Sequence, residues 1–196
     1  MIEAFLRPPQ GAVAFAADAA RVLGALAVVV AFIWFEPTDA GIAALALPAL
    51  VLPRFLAVPA AFDLLFCVTV LVAAWSNIVD LYTTVPGWDL VVHLVCTGVI
   101  GVMLVLLLGR SRVIPLPERP SWATALVLTV GMALAAAALW EMVEWFGHAV
   151  IDPSIHVNYD DTITDMAAGG VGGALGGIAL KVLTAWAQRP AASSTR

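Results

Sequence analysis

Apolar residues in this chain neither alternate nor gather on one helical stripe; they run on unbroken. Six stretches, about 19–35, 40–57, 59–80, 88–109, 121–148 and 161–187, are almost wholly hydrophobic, and each has roughly the 20 residues that a helix needs to cross a bilayer core. Polar punctuation divides them: Glu36-Pro37, then Arg54, then the turn from Tyr82 to Trp88, the Pro- and Arg-rich segment from Arg110 to Pro120, and a loop holding Pro153. The pattern predicts an all-α integral membrane protein, a bundle of six transmembrane helices over residues 19–188, with a cytoplasmic N-terminal segment at 1–18 and a cytoplasmic tail at 189–196. Pro48 and Pro53 fall inside the second stretch and predict a kink there, or an early end near Arg54.

Composition agrees with this reading. The 196 residues are 62% hydrophobic and 12% charged, with a mean hydropathy of +1.00, against roughly 25% charged for soluble proteins. Cys67 and Cys96 lie inside apolar stretches and read as small buried hydrophobes rather than a disulfide or a metal site.

The net charge of −5 becomes informative once each charge is placed. Arg7 and Arg21 stand at the start of the first helix, Arg54 between the second and third, Arg110, Arg112 and Arg119 between the fourth and fifth, and Lys181, Arg189 and Arg196 at the end of the sixth. Every basic residue therefore falls on one side of a six-helix bundle. The positive-inside rule makes that side cytoplasmic, with both termini there. The loops 36–39, 80–88 and 149–160 on the other side contain no lysine or arginine.

That other side carries the candidate chemistry. The fourth helix starts with Asp89 and His93, an i, i+4 pair on one face. The fifth ends with Glu141, Glu144 and His148, again on one face, and the sixth starts with Asp161 and Asp165. Asp89 and Asp161 also have an ordinary role as caps at helix N-termini. Asp80, Asp152, Asp160 and His156 read as loop residues. Glu141 and Glu144 differ, because they lie near a helix C-terminus, where the dipole disfavours anions. Glu141 follows the apolar run ALAAAALW, and an ionisable residue at membrane depth is a functional candidate by default. With no basic partner on that side, the acids require shared protons or a divalent cation. Carboxylates with imidazole suit Zn, Mn or Fe, and carboxylates alone suit Mg or Ca. The spacing is neither H-E-x-x-H nor the paired Glu-x-x-His of di-iron bundles. The expected metal set is Asp89, His93, Glu141, Glu144, His148, Asp161 and Asp165, with Glu141 and Glu144 as the catalytic candidates.

Below Asp161 and Asp165 the same stripe continues as Gly169, Gly173 and Gly177, with Gly172 and Gly176 alongside. This predicts close helix packing that aims both aspartates into the bundle. Trp34, Trp75, Trp88, Trp140 and Trp145 read as an outer aromatic belt.

Asp89-x-x-x-His93, Trp140-Glu141-x-x-Glu144-Trp145 and Asp161-Thr162-x-x-Asp165 with glycines following together resemble the YjdF-like family of bacterial inner-membrane proteins. More distantly they are similar to the VanZ-like family, which pairs an Asp…His helix start with a Glu-containing helix and an Asp-then-Gly helix. The resemblance spans the third to sixth helices. It implies a bacterial inner-membrane location and the same choice of residues, and it implies no reaction. Three functions fit the residues: a metal-dependent enzyme acting on a lipid or lipid-linked substrate, a small cation or proton transporter or channel subunit, and a structural or assembly subunit of a membrane complex.

Overall fold

The computed structural model describes residues 2–153, 155 and 157–186. A short helix α1, Ile2–Leu6, leads into α2, Ala12–Trp34; α3 is Pro37–Phe55 and α4 is Ala60–Ile78. The one-turn α5, Leu81–Thr84, precedes α6, Trp88–Arg110; α7 is Trp122–Ile151 and α8 is Tyr159–Trp186. Among the described residues, α2, α3, α4, α6, α7 and α8 are long and apolar enough to cross a membrane. The 23 residues of α2 span about 34 Å at helical rise, enough for a hydrocarbon core of about 30 Å.

Burial is distributed as a bilayer demands. On α2 the buried positions are Ala17, Ala20, Gly24, Ala27 and Ala31, a small-residue face, while Phe15, Leu23, Leu26 and Phe32 point outward. Large side chains outside and small ones inside let helices approach closely where lipid replaces water.

One boundary departs clearly from the expectation. The helix that carries the first span starts at Ala12, ahead of the predicted 19. The one charge in residues 12–18, Asp18, is met by Arg21 Nη1 at 2.9 Å and Arg54 Nη1 at 2.7 Å, so the helix carries it as a paired charge. Pro48 and Pro53 lie inside α3, which ends at Phe55, the early end near Arg54 that the sequence allows. Pro37 opens this helix, and Glu36 and Asp39 close a reciprocal cap around its first turn, the arrangement that satisfies free N–H groups at a helix start.

The helices form two groups. In the first, α3 and α4 pack on α2, and their arginine-rich ends are tied by ions. Arg21 pairs with both Asp18 and Asp63 and donates its Nε–H to the Leu50 carbonyl at 2.9 Å. Arg54 binds Asp18 and donates to the carbonyls of Phe5 and Arg7. In the second group, α8 packs along α6 and α7. A β-carbon on Gly172 would collide with the Leu94 carbonyl oxygen, and one on Gly173 would stand 2.8 Å from the Val130 Cα. Gly173 and Gly177 face α7, Gly172 and Gly176 face α6, and Gly169 lies between Thr97 of α6 and Ala137 of α7, while Val171 and Leu175 are exposed. The expected glycine packing is therefore present, and it fixes the rotation of α8.

The main apolar core lies in the arginine-rich half of the bundle, around Leu50, Leu56, Phe62, Phe66, Met103 and Leu180. In the opposite half a cavity of about 430 Å³ opens between α3, α4, α6 and α7.

Candidate metal centre

Three helix ends and one turn build the site. Gly87, at φ +74°, makes the left-handed corner that starts α6, a conformation natural to glycine. Trp88 Nε1–H donates to Ser76 Oγ at 2.8 Å, anchoring that corner to the end of α4. Tyr82 Oη–H donates to the Ala73 carbonyl at 2.9 Å. Burial pushes the Tyr82 phenol well above its ordinary pKa, and the nearby Asp89 and Glu144 push the same way, so it remains a donor. These two contacts hold the turn, and the turn sets Asp89.

His93 lies one turn below Asp89, where α6 widens into a π-helical segment, His93–Thr97. Such segments gather at functional sites because they reposition side chains within a continuous helix. The His93 Nε2 is 3.4 Å from Asp89 Oδ1 and 3.8 Å from Asp165 Oδ2. Asp89, His93 and Asp165 each offer one ligand atom, all within 4.8 Å of one another. Asp89 and Asp165 are in hydrogen-bonding contact as well. Asp165 is 2% exposed and His93 7%. His93 Nδ1, Asp165 Oδ1 and Glu141 Oε1 are buried without a hydrogen-bond partner, a cost of about 1–3 kcal/mol for each such atom unless something fills the gap.

The seven expected ligands do not all converge. Asp89, His93 and Asp165 meet. Glu141 borders them and acts electrostatically on Asp165, with its Oε1 buried as its depth in α7 suggested. Glu144 is turned to accept the Trp140 indole N–H at 2.8 Å, though Asp89 and Asp165 are within electrostatic reach. Asp161 stands one turn before Asp165, half-buried, and adds negative potential to it. His148 does not join the triad. A second π-helical segment, Gly147–Ile151, ends α7, and His148 Nδ1 lies 2.7 Å from the Ile155 carbonyl, which commits that nitrogen to the loop. His156 lies outside the described residues.

The tryptophans divide in the same way. Trp34 and Trp145 are exposed, as a belt requires. Trp88 and Trp140 instead turn their indole N–H groups inward to Ser76 and Glu144. Sequence reasoning missed this inward role, and it missed Ser76 and the π-helical segments. A tryptophan beside a glutamate four residues on was the available signal for Trp140.

Residues 13–186 match the family described as Predicted membrane protein (DUF2238). The chain belongs to that family. No curated protein and no solved structure matches it. The DUF2238 match runs from the first turn of α2 to the last residue of α8, so it takes in both helix groups and every member of the triad.

Ligand atoms around a tetrahedral Zn at about 2.0–2.2 Å stand about 3.3–3.6 Å from one another. The 3.4 and 3.8 Å separations about His93 Nε2 are close to that spacing. Two carboxylates and an imidazole neutralise a divalent charge and leave coordination positions open for water or substrate, as catalytic sites do.

Proposed function

We propose that Asp89, His93 and Asp165 hold a divalent cation near the extracytoplasmic face of a bacterial inner membrane, and that the protein is a metal-dependent enzyme acting on a lipid or lipid-linked substrate there. The observation that carries the reading is the approach of the half-buried Asp89 carboxylate, the buried Asp165 carboxylate and the buried His93 imidazole to ligand spacing, in loops and helix ends without a single lysine or arginine. Two carboxylates this close repel unless a proton or a cation lies between them. A divalent cation satisfies both, and it also accounts for the unpartnered Asp165 Oδ1.

Within this reading each neighbour has a task. Held by Asp89, His93 and Asp165, a divalent cation would supply Lewis-acid chemistry, activating water and polarising a substrate oxygen. Glu141, with a free buried oxygen beside the triad, is the general base. Glu144, held by Trp140, is the second catalytic carboxylate. The orientation follows from the positive-inside rule, which places the acid-rich end outside and both termini in the cytoplasm. The resemblance to YjdF-like proteins favours the bacterial inner membrane.

A cation or proton pathway is the competing reading, favoured by the Asp89–Asp165 contact, which a shared proton also explains. It is weakened inside the bundle. Asp63, the one acid buried in the arginine-rich half of α4, is bound to Arg21 and is not poised to accept an ion. The deciding experiment is elemental analysis of protein purified without chelator. The cation reading expects about one metal per chain, absent in Asp165→Asn. Wild-type protein without stoichiometric metal would reject it.

A further inference from the structure

The cavity of about 430 Å³ is not needed to hold a cation, and its shape suggests what else is bound. It starts at His93 and runs to Leu104 on α6, about 16 Å at helical rise and about half the hydrocarbon thickness. Polar and amphipathic groups gather toward one end: His93, Asn77, Tyr82 and Trp140, with Cys96 and Thr97 one turn deeper on α6. The remainder is aliphatic, and much of it is alanine, including Ala46 and Ala49 on α3, Ala74 on α4 and Ala136 on α7. Alanine at these positions leaves open a space that leucine would fill. The volume falls in the range of ligand sites, about 300–1,000 Å³, and an apolar cavity does not hold water stably.

The walls belong to opposite helix groups, since α3 packs on α2 and α4 and α7 on α6 and α8. Leu45 on one wall and Leu139 on the other are 59% and 63% exposed on helices that cross the membrane. The mouth between them therefore opens on lipid. Charge narrows the occupant further. A divalent cation cancels Asp89 and Asp165, yet Glu141 and Asp161 remain beside them, and Asp39, Asp80 and Asp160 lie at the same end, with no lysine or arginine in its loops. A purely anionic head group is repelled there.

We infer that the cavity takes one hydrocarbon tail of an amine-headed, zwitterionic membrane lipid, whose polar head stops at the acid cluster. The phosphate of such a head meets the cation and its ammonium meets the surrounding carboxylates. The placement of the phosphate rests on the cation reading, while the tail and the ammonium rest on the cavity and the acids alone.

The test uses full-length protein extracted in mild detergent, with its retained lipid measured by mass spectrometry against the bulk extract. Phosphatidylethanolamine should be enriched about fivefold over phosphatidylglycerol, the factor that about 1 kcal/mol of charge interaction gives. Ala46→Leu and Ala74→Leu, which fill the cavity from two different helices, should each lose the enrichment and keep their metal content. A wild-type lipid profile equal to the bulk, enrichment of phosphatidylglycerol instead, or enrichment unchanged in both filled variants would overturn the inference. Enrichment without any bound metal would reject the cation reading alone and leave the lipid assignment standing.

Discussion

Asp63, with its partner Arg21, and Asp165 are both buried charges in a membrane bundle, but their surroundings are opposite. Around Arg21, every acid has a guanidinium: Asp18 binds Arg21 and Arg54, Asp63 binds Arg21, and backbone carbonyls of Phe5, Arg7 and Leu50 take remaining donors. Around Asp165, acids stand against acids and one histidine, and three buried polar atoms have no partner. The first cluster is complete within the chain and joins α2, α3 and α4. The second is complete only with something added. Burial by itself therefore does not mark a functional charge in this protein; burial without a partner does.

Removing one member of each cluster should separate them most sharply. Arg21→Met strands Asp63 and half of the Asp18 contact, and breaking a buried pair in this way costs about 3–5 kcal/mol. Asp165→Asn in chelator-treated protein removes a repulsive carboxylate and should leave stability unchanged or higher. Denaturation in detergent micelles measures both, and a loss in Asp165→Asn as large as that in Arg21→Met would erase the distinction.

The next effect in size concerns how the acid cluster is held. Gly173→Leu drives a side chain into the Val130 backbone and Ala133 and should cost about 1–3 kcal/mol, the scale of overpacking. Val171→Leu, on the exposed face, should be silent. Equal melting of both variants and wild type would remove the support for the inward aim of Asp165.

A smaller perturbation tests which end faces outward. In a background without Cys67 and Cys96, a cysteine at Thr84 should react with an impermeant thiol reagent added to intact cells, and one at Ser111 should not. The reverse pattern would place the acid cluster on the cytoplasmic side.

Much of this was legible in the sequence because a bilayer imposes simple rules. Long apolar runs gave the six helices, and the arginines gave the two ends. The glycine stripe gave the rotation of α8 because four-residue spacing marks one helical face and a contact as close as Gly172 to Leu94 excludes any side chain. What was not legible depends on partners distant in the chain. The start of α2 at Ala12 was not legible because Asp18, inside it, is met by Arg54, thirty-six residues away, and such a partner is invisible to local hydropathy. His148 shares a helical face with Glu141 and Glu144, but the π-helical segment at Gly147–Ile151 turns it to Ile155, and no residue pattern announces that. The cavity was hidden for the same reason: it is a gap between α3 and α7, which lie in different helix groups.

The most direct measurement of the central claim is the melting temperature of metal-free protein as Zn, Mn, Mg or Ca is added. A ligand at about 100 times its Kd stabilises the folded state by about 2.7 kcal/mol. At least one of these ions should therefore raise the melting temperature of wild type clearly, have no effect on Asp165→Asn, and act less strongly on Glu141→Gln than on Asp160→Asn. A wild-type melting temperature that ignores all four ions would contradict the account, and Asp89 and Asp165 would then have to share a proton.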